Sequence, residues 1–241
     1  MAPVKAVVFD MYETLVTNPE GSWIGVFGEI CQTQGLGVDP EVLFRGWKAL
    51  EVQFRRTRLN LEEPEKSPPF KSYEEAWRGC FEEVFGQMSL AGDPGKAARM
   101  AVVSLGRQDP FDEVPKAIMD IQDRWTTAVL SNADDDYLLP QLERLNMQFS
   151  LVLSSEMVRA YKPHPRPFRT VLERLGVEAV EAVYVGDNLF DDVKGAKGVG
   201  MGTVWINRHG KVLDDGLPSP DHQVANLSEL PQILERWDQW S

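Results

Sequence analysis

From Pro110 onward the sequence alternates short apolar runs with segments of helical periodicity, and this alternation strongly limits the fold. The apolar runs lie at 127–130, 151–153, 182–185 and 203–206, with a weaker run at 222–225. Helices are predicted to begin near Glu113, Asp136, Arg166, Asp191 and Leu227. Parallel strands need long crossover connections, which are usually helices. The sequence therefore predicts an α/β fold, a parallel sheet with helices on both faces.

The first apolar run, at 4–9, lies far upstream of the others. It belongs to the same sheet, because a single strand cannot pair its own edges. Residues from about 17 to 106 lack strand-like runs and show helical periodicity, with a helix start at Asp39–Pro40. We therefore predict a catalytic core at 1–16 and 107–241, with residues 17–106 inserted as a helical cap over the carboxyl edge of the sheet.

Composition excludes several classes of partner. The chain has 25 Lys and Arg against 37 Asp and Glu, for a formal net charge of -12. This argues against general binding to nucleic acid or to an anionic membrane, since both need a basic face. Cys31 and Cys80 are predicted to be reduced thiols, and the first apolar run is too short for a signal peptide, so we expect a cytoplasmic protein. A homodimer is left open.

Polar residues follow four of the strand-like runs. In chain order they are Asp-Met-Tyr-Glu-Thr at 10–14, Ser-Asn at 131–132, Tyr-Lys-Pro at 161–163 and Gly-Asp-Asn-Leu-Phe-Asp-Asp at 186–192. Open α/β sheets bind their ligands at the carboxyl ends of the strands. The four stretches therefore predict one site.

The residue types in this site suit nucleophilic attack by a carboxylate. Asp10 is the candidate nucleophile, and its attack on an anionic centre needs positive charge and preorganised donors nearby. Lys162 supplies the charge, and Thr14 and Ser131 supply hydroxyl groups. Backbone amides from Met11 onward can form an anion-binding nest. We expect a small anionic substrate.

The same stretches suit a magnesium ion. The carboxylates of Asp10 and Asp187, with the backbone carbonyl of Tyr12, match the oxygen ligands that Mg²⁺ prefers. Mg²⁺ is thus the predicted cofactor.

This set of motifs resembles the haloacid dehalogenase (HAD) superfamily of aspartyl-nucleophile hydrolases, over essentially the whole chain. The resemblance implies a Rossmann-like core and a cap of the helical type. It further implies contacts of Thr14 and Ser131 with the phosphate or leaving group, and Lys162 as a charge clamp. Asp187 and Asp191 would hold or support Mg²⁺. Asn132 and Asn188 would be neighbouring polar contacts.

Position 12 departs from the phosphatases of this superfamily, which read Asp-x-Asp-x-Thr and use the second Asp as general acid and base. Tyr12 stands there. An uncharged residue at this position resembles the 2-haloacid dehalogenase branch, which expels halide without a proton. Arg45 points the same way, since dehalogenases of this type use a cap arginine in a comparable stretch. The alternative for Arg45 is a solvated helix face.

Asp187 opposes the dehalogenase interpretation, because that branch works without metal and generally lacks the acidic residue there. One unpaired like charge at about 4 Å costs on the order of 4 kcal/mol at an effective dielectric near 20. The sequence therefore favours a Mg²⁺-dependent phosphatase acting on a small phosphorylated metabolite, with a metal-independent 2-haloacid dehalogenase as the alternative. A catalytically weak phosphate-binding or regulatory protein and a phosphonate hydrolase stay open.

Overall fold

A computed structural model describes residues 3–237, and its centre is a six-stranded parallel sheet. The strands are β1 (Ala6–Phe9), β2 (Thr126–Ser131), β3 (Leu151–Ser154), β4 (Ala182–Gly186), β5 (Gly202–Ile206) and β6 (His222–Val224). Their order in the sheet is β3-β2-β1-β4-β5-β6. The predicted α/β fold is confirmed, including the strand contributed by the start of the chain.

The sheet order puts β1 in the middle, with β2 on one side and β4 on the other. The chain adds β2 and β3 on one side of β1 and then crosses to the other side to add β4, β5 and β6. A switch point of this type is where open sheets form a binding crevice. In the register of the sheet, Phe9 lies beside Val129 and Val185. Asp10 follows directly, and its amide still donates to the Val185 carbonyl at 2.9 Å. The residue after β1 is therefore fixed by the sheet.

Alternate residues of β1 face opposite sides of the sheet and all are fully buried. Ala6 and Val8 belong to an apolar cluster that includes Phe168 and Val171. A parallel strand with both faces covered is expected to read as a continuous apolar run, and β1 does.

The described residues after Pro110 contain six helices. They are α5 (Val114–Gln122), α6 (Asp135–Arg144), α7 (Ser155–Val158), α8 (Pro165–Leu175), α9 (Gly195–Lys197) and α10 (Leu230–Glu235), together with 3-10 turns at Ala179–Glu181 and Leu227–Glu229. The helix predicted to begin near Asp191 is instead a π-helical segment, Leu189–Lys194, followed by the short α9. That segment carries the acidic residues discussed below.

Four helices precede Pro110, and no strand lies among them in the described residues. They are α1 (Glu20–Gln34), α2 (Pro40–Thr57), α3 (Tyr73–Gln87) and α4 (Pro94–Leu105), with a 3-10 turn at Pro64–Lys66. The predicted helix start at Asp39–Pro40 is confirmed, because the Asp39 carboxylate accepts from the amides of Glu41 and Val42 at 2.9 and 3.2 Å. Ser72 and Glu75 form a capping box at the start of α3.

The chain divides into two compact units. The first contains residues 1–17, 109–132 and 145–241, and the second contains 18–108 and 133–144. The second unit thus includes α6, which the sequence placed in the core. Its role as a cap remains a prediction.

The core of the second unit is aromatic. Trp47 stacks on Trp23 and Phe81 with ring centroids 5.5 and 5.7 Å apart, and meets Trp77 edge-on at 5.4 Å. Large rings bury much apolar surface per residue, so a small helical unit gains a stable core from few side chains. Cys31 and Cys80 are both buried free thiols, as predicted. No helix among residues 3–237 has the length and apolarity that a membrane crossing requires.

Glu51 is a buried carboxylate in this unit, with 1% of its side chain exposed. Lys48 donates to it at 2.8 Å and Arg55 also pairs with it. Burial alone would raise the pKa of Glu51, but the cations of Arg55 and Lys48 outweigh it and leave this pKa below its ordinary value. The ionised form is thus stabilised by folding.

We expect Glu51→Gln to lower the free energy of unfolding by about 1–2 kcal/mol at neutral pH, because two charge-assisted hydrogen bonds are weakened. A carboxylate with a lowered folded-state pKa stabilises above its unfolded pKa, and that contribution is lost as pH falls through the folded value. The difference in free energy of unfolding between Glu51→Gln and the wild type should therefore shrink below about pH 4. Chemical denaturation at several pH values measures it.

Glu41→Gln is the matched control, because Glu41 pairs with Arg45 on the same helix but is 48% exposed. Exposed pairs contribute little to stability, so this variant should unfold like the wild type. Equal destabilisation by both substitutions, or a pH-independent loss in Glu51→Gln, would contradict the role of the buried carboxylate.

Candidate active site

Three predicted site residues meet at the carboxyl edge of the sheet. The Oδ1 atom of Asp10 accepts from the Ser131 hydroxyl at 2.9 Å and from the Lys162 ammonium at 2.8 Å. The second carboxylate oxygen of Asp10 accepts no hydrogen bond from the described residues. One carboxylate oxygen of Asp10 is thus held in place by two donors, and the other is not.

Lys162 is the charged centre of the site, and only 2% of its side chain is exposed. Besides Asp10, its ammonium contacts Asp192 Oδ1 at 2.6 Å, the Tyr184 hydroxyl at 2.7 Å and the Leu130 carbonyl at 3.2 Å. Burial lowers the pKa of Lys162, but Asp10 and Asp192 outweigh burial and hold this pKa well above its ordinary value. Lys162 is therefore a fixed cation.

Two carboxylates contact this cation, and a third lies close to them. Oxygens of Asp10, Asp187 and Asp192 all lie within 4.8 Å of one another. Burial, then Asp192 and Asp10, raise the pKa of Asp187 well above its ordinary value. Burial also raises the pKa of Asp192, to about 7, against the opposing effect of Lys162. Crowded buried carboxylates of this kind favour a proton or a divalent cation between them.

The acidic cluster includes a residue that the sequence analysis did not assign, and the metal role of Asp191 remains a prediction. Asp192, and not Asp191, joins Asp10 and Asp187. Asp191 Oδ2 instead accepts from the Asn132 amide at 3.4 Å. The reason is the π-helical turn, whose wider spacing brings the later residue back under β4, where Asp192 Oδ2 accepts from the Asn188 amide at 3.0 Å.

Gly186 is required by this packing. A Cβ atom on Gly186 would lie 2.3 Å from Asp192 Oδ2 and 2.4 Å from its Cγ. Asn188, predicted as a substrate contact, is exposed, and its side chain accepts from the amides of Phe190 and Asp191 at 2.9 Å each. In the structure Asn188 caps the acidic turn, and its substrate contact remains a prediction.

Asn132 has a comparable supporting role. Its side chain accepts from the Lys162 amide at 2.7 Å and donates to the Lys162 carbonyl at 3.2 Å. A side-chain amide that bonds both backbone groups of one residue fixes where that residue points. Contact of Asn132 with substrate remains a prediction.

The loop after β1 carries the other predicted residues. Thr14 is fully buried and its hydroxyl has no hydrogen-bond partner among the described residues. Its contact with a ligand remains a prediction. The Met11 side chain is fully buried and its carbonyl accepts from the amides of Leu15 and Val16. Burial and the Asp10 carboxylate raise the pKa of Tyr12 well above its ordinary value, so Tyr12 is a neutral phenol at pH 7.

Arg208 is a supporting residue that sequence reasoning missed. Its guanidinium donates to the Thr14 carbonyl at 2.8 Å, to the Glu13 carbonyl at 3.3 Å and to Glu113 at 2.7 Å. Glu13 has a positive φ of 61°, which non-glycine residues rarely adopt. Arg208 therefore holds a strained loop in place. The only signal in the sequence was an arginine two residues after an apolar strand run.

Arg45 lies on α2 in the second unit, where it is exposed and pairs with Glu41 of the same helix. The residues that meet around Lys162 all lie in the first unit. A substrate role for Arg45 remains a prediction.

A buried aspartate and a buried lysine thus lie beside an acidic turn at the switch point of a parallel sheet. Residues 4–200 match the haloacid dehalogenase-like hydrolases, and the chain belongs to that family. Haloacetate dehalogenase H-2 of Moraxella sp. (strain B) is 29% identical over 239 residues, which cover 97% of this chain and 99% of that protein. Phosphoserine phosphatase of Thermus thermophilus is 34% identical, but over only 64% of this chain and 66% of its own length.

Solved structures share the fold along nearly the whole chain. L-2-haloacid dehalogenase from Xanthobacter autotrophicus matches with a TM-score of 0.74 at 23% identity, covering 96% of this chain and 98% of that one. A magnesium-bound HAD hydrolase from Bacillus subtilis matches with a TM-score of 0.80 at 18% identity, covering 97% and 100%. At these identities the likeness establishes the fold.

Gly186→Ala should displace Asp192 from Lys162, since the new methyl group would overlap the carboxylate. We expect the rate of the hydrolase reaction to fall at least about tenfold, because a displacement of about 1 Å in a catalytic site can lower the rate by a larger factor. Gly28→Ala is the control, since a Cβ there meets open space on α1. Assays of both variants with circular dichroism test this. Full activity of Gly186→Ala would show that the position of Asp192 is unimportant.

Proposed function

We propose that this protein is a hydrolase that removes halide from short 2-haloacids through Asp10, without a metal. The proposal rests on one observation. The Asp10 carboxylate is fixed by two donors, and position 12 holds a neutral tyrosine. Ser131 and Lys162 fix one oxygen of Asp10, while the position used by phosphatases for a proton donor holds a phenol with a raised pKa. Such a site suits a leaving group that needs no proton.

The relatives support the same activity. Haloacetate dehalogenase H-2 aligns with 97% of this chain, whereas the phosphoserine phosphatase aligns with 64% of it. The balance of the comparisons thus favours the alternative over the phosphatase that the sequence motifs predicted.

In the proposed reaction the available oxygen of Asp10 attacks C2 of the substrate. A C–O bond forms as the carbon–halogen bond breaks, and halide leaves with the bonding electrons. Attack opposite the leaving group inverts C2 and gives an ester between Asp10 and the acid. Lys162 and Ser131 keep the carboxylate aligned during this displacement.

Water then cleaves the ester. It attacks the Asp10 carbonyl carbon, the bond to the substrate oxygen breaks, and a 2-hydroxy acid leaves with the restored Asp10 carboxylate. Negative charge develops on a carbonyl oxygen that Ser131 and Lys162 already contact, and preorganised donors of this kind stabilise such a charge. A carboxylate of the acidic cluster accepts one proton of the water, and the proton that stays on the new Asp10 carboxyl group passes to the departing oxygen of the 2-hydroxy acid.

The acidic cluster favours a second candidate, a Mg²⁺-dependent phosphatase. Asp10, Asp187 and Asp192 fit a divalent cation by charge and by spacing, and the partnerless Thr14 hydroxyl fits a phosphoryl oxygen. When bound, the ion would neutralise charge on a phosphoryl group.

Parallel assays separate the two candidates. Purified protein is incubated with 2-chloropropionate, monochloroacetate and a set of phosphate monoesters, each with Mg²⁺ or with EDTA. The proposal predicts halide release that EDTA does not reduce. Phosphate release that requires Mg²⁺, without halide release, would replace it with the second candidate.

Asp10→Asn should reduce halide release by at least about 10³-fold while the fold stays intact, because an amide is a far weaker nucleophile than a carboxylate. Asp120→Asn is the matched control, since Asp120 is a surface residue paired with Lys116. Mass spectrometry of wild-type protein quenched with substrate should show the acid attached to Asp10. Label on another residue, or activity retained in Asp10→Asn, would disprove Asp10 as the nucleophile.

Tyr12→Asp tests why position 12 matters. The substitution restores the general acid of the phosphatases, which is worth roughly 10²- to 10⁴-fold on poor leaving groups. We expect phosphatase activity on alkyl phosphates to rise with Mg²⁺ present, and halide release to fall because another carboxylate repels the substrate. Tyr12→Phe is the control, and should keep the dehalogenase activity within about tenfold.

A further inference from the structure

The segment after β5 forms a tight loop beside the acidic cluster. Asn207 is buried, and its side chain donates to the Lys211 carbonyl at 2.8 Å and accepts from the Lys211 amide at 2.7 Å. Gly210 turns the chain with a positive φ of 61°. The backbone of Lys211 is therefore held at a fixed place by a buried residue.

Arg208 ties the same loop to the segment that follows Asp10. The guanidinium that bonds the carbonyls of Glu13 and Thr14 belongs to the residue next to Asn207. The Arg208 guanidinium carbon also lies 3.6 Å from the centroid of the Phe111 ring. The start of the Lys211 loop and the nucleophile loop are thus connected within the first unit.

Lys211 places its ammonium 3.9 Å from Asp187 Oδ2, while 57% of its side chain stays exposed. The three carboxylates and Lys162 carry a formal charge of -2 when all are ionised, and Lys211 changes this to -1. An exposed lysine is held loosely and can leave Asp187 when a ligand arrives. The contact thus provides a charge beside Asp187 that is not part of the buried network.

We propose that Lys211 is a specificity-determining residue that opposes divalent-cation binding at Asp187 and offers its positive charge to an anionic substrate. The inference deepens the proposed function, because it explains how a site with three carboxylates accepts a carboxylate without a metal. A cation at the cluster would experience repulsion from Lys211, whereas a substrate carboxylate would be attracted to it. Lys211 therefore weakens cation binding and strengthens binding of the substrate carboxylate, and both effects favour a reaction without a metal.

Mg²⁺ binding to the substrate-free protein tests this without any activity assay. Isothermal titration with MgCl₂ is run on wild type, Lys211→Arg, Lys211→Gln and Lys211→Glu. Removing one unit charge several ångströms away should tighten Mg²⁺ binding by about tenfold in Lys211→Gln. Lys211→Glu should bind more tightly still, and Lys211→Arg should stay within about twofold of wild type.

Two controls identify the charge as the cause. Lys197→Gln removes a lysine that pairs with Asp221, away from the acidic cluster, and should leave Mg²⁺ affinity within about twofold. In an Asp187→Asn background, Lys211→Gln should increase Mg²⁺ affinity less than it does in the wild type. This comparison completes a double-mutant cycle, which isolates the interaction between the two residues. A structural role of Lys211 would produce neither the graded response to charge nor the dependence on Asp187.

The inference is overturned if Lys211→Gln binds Mg²⁺ no more tightly than wild type, or if neither protein binds it measurably. It is also overturned if Lys197→Gln produces the same increase. Absence of halide release by the wild type would instead overturn the proposed dehalogenase activity, and these isotherms would still decide the role of Lys211.

Discussion

A buried ammonium group organises this molecule. An unpaired charge in a protein interior is very costly, so Lys162 can exist at 2% exposure only because Asp10, Asp192 and the polar oxygens around it satisfy it. These partners follow β1 and β4 or lie beside β2, and Lys162 itself follows β3. The four strand ends must therefore meet at one point for the core to be stable, and the same requirement assembles the site.

The sequence predicted the sheet well because parallel strands with two covered faces are continuous apolar runs. It predicted Asp10, Ser131 and Lys162 as neighbours because strand ends share one edge of the sheet, and the structure brings them together. It assigned Asp191 to the acidic group and did not name Asp192, whose place in the cluster depends on a π-helical turn that has no clear sequence signal. Arg208 was missed for a related reason, because a residue that supports backbone carbonyls needs no motif.

The separation of α6 from the core was beyond the sequence as well. Its periodicity fits any covering helix, and only the tertiary structure shows that the Asp134 carboxylate before it accepts from the amides of Tyr73 and Glu74 at 2.7 and 2.8 Å. The aspartate that precedes α6 thus caps the start of α3. Long-range capping of this kind leaves no local pattern to find.

The charge balance of the site connects the two candidate chemistries. Tyr12 puts a weakly acidic phenol where a phosphatase of this kind would have a carboxylic acid, while Asp187 retains a carboxylate that a haloacid substrate would meet. The raised pKa of Asp187 shows that its environment already disfavours the charged form. Under the proposed function, the group that neutralises Asp187 would decide which substrate the site accepts.

The helical unit draws on two separate stretches of chain, 18–108 and 133–144. Tyr137 and Leu138 of α6 are buried, and Gln141 bonds both backbone groups of Gln108 at 2.9 and 2.6 Å. The polypeptide consequently passes between the units four times. Gene fusions that treat residues 18–108 as an exchangeable cassette would leave α6 behind without its partners, so a transplantable unit must be assembled from both stretches.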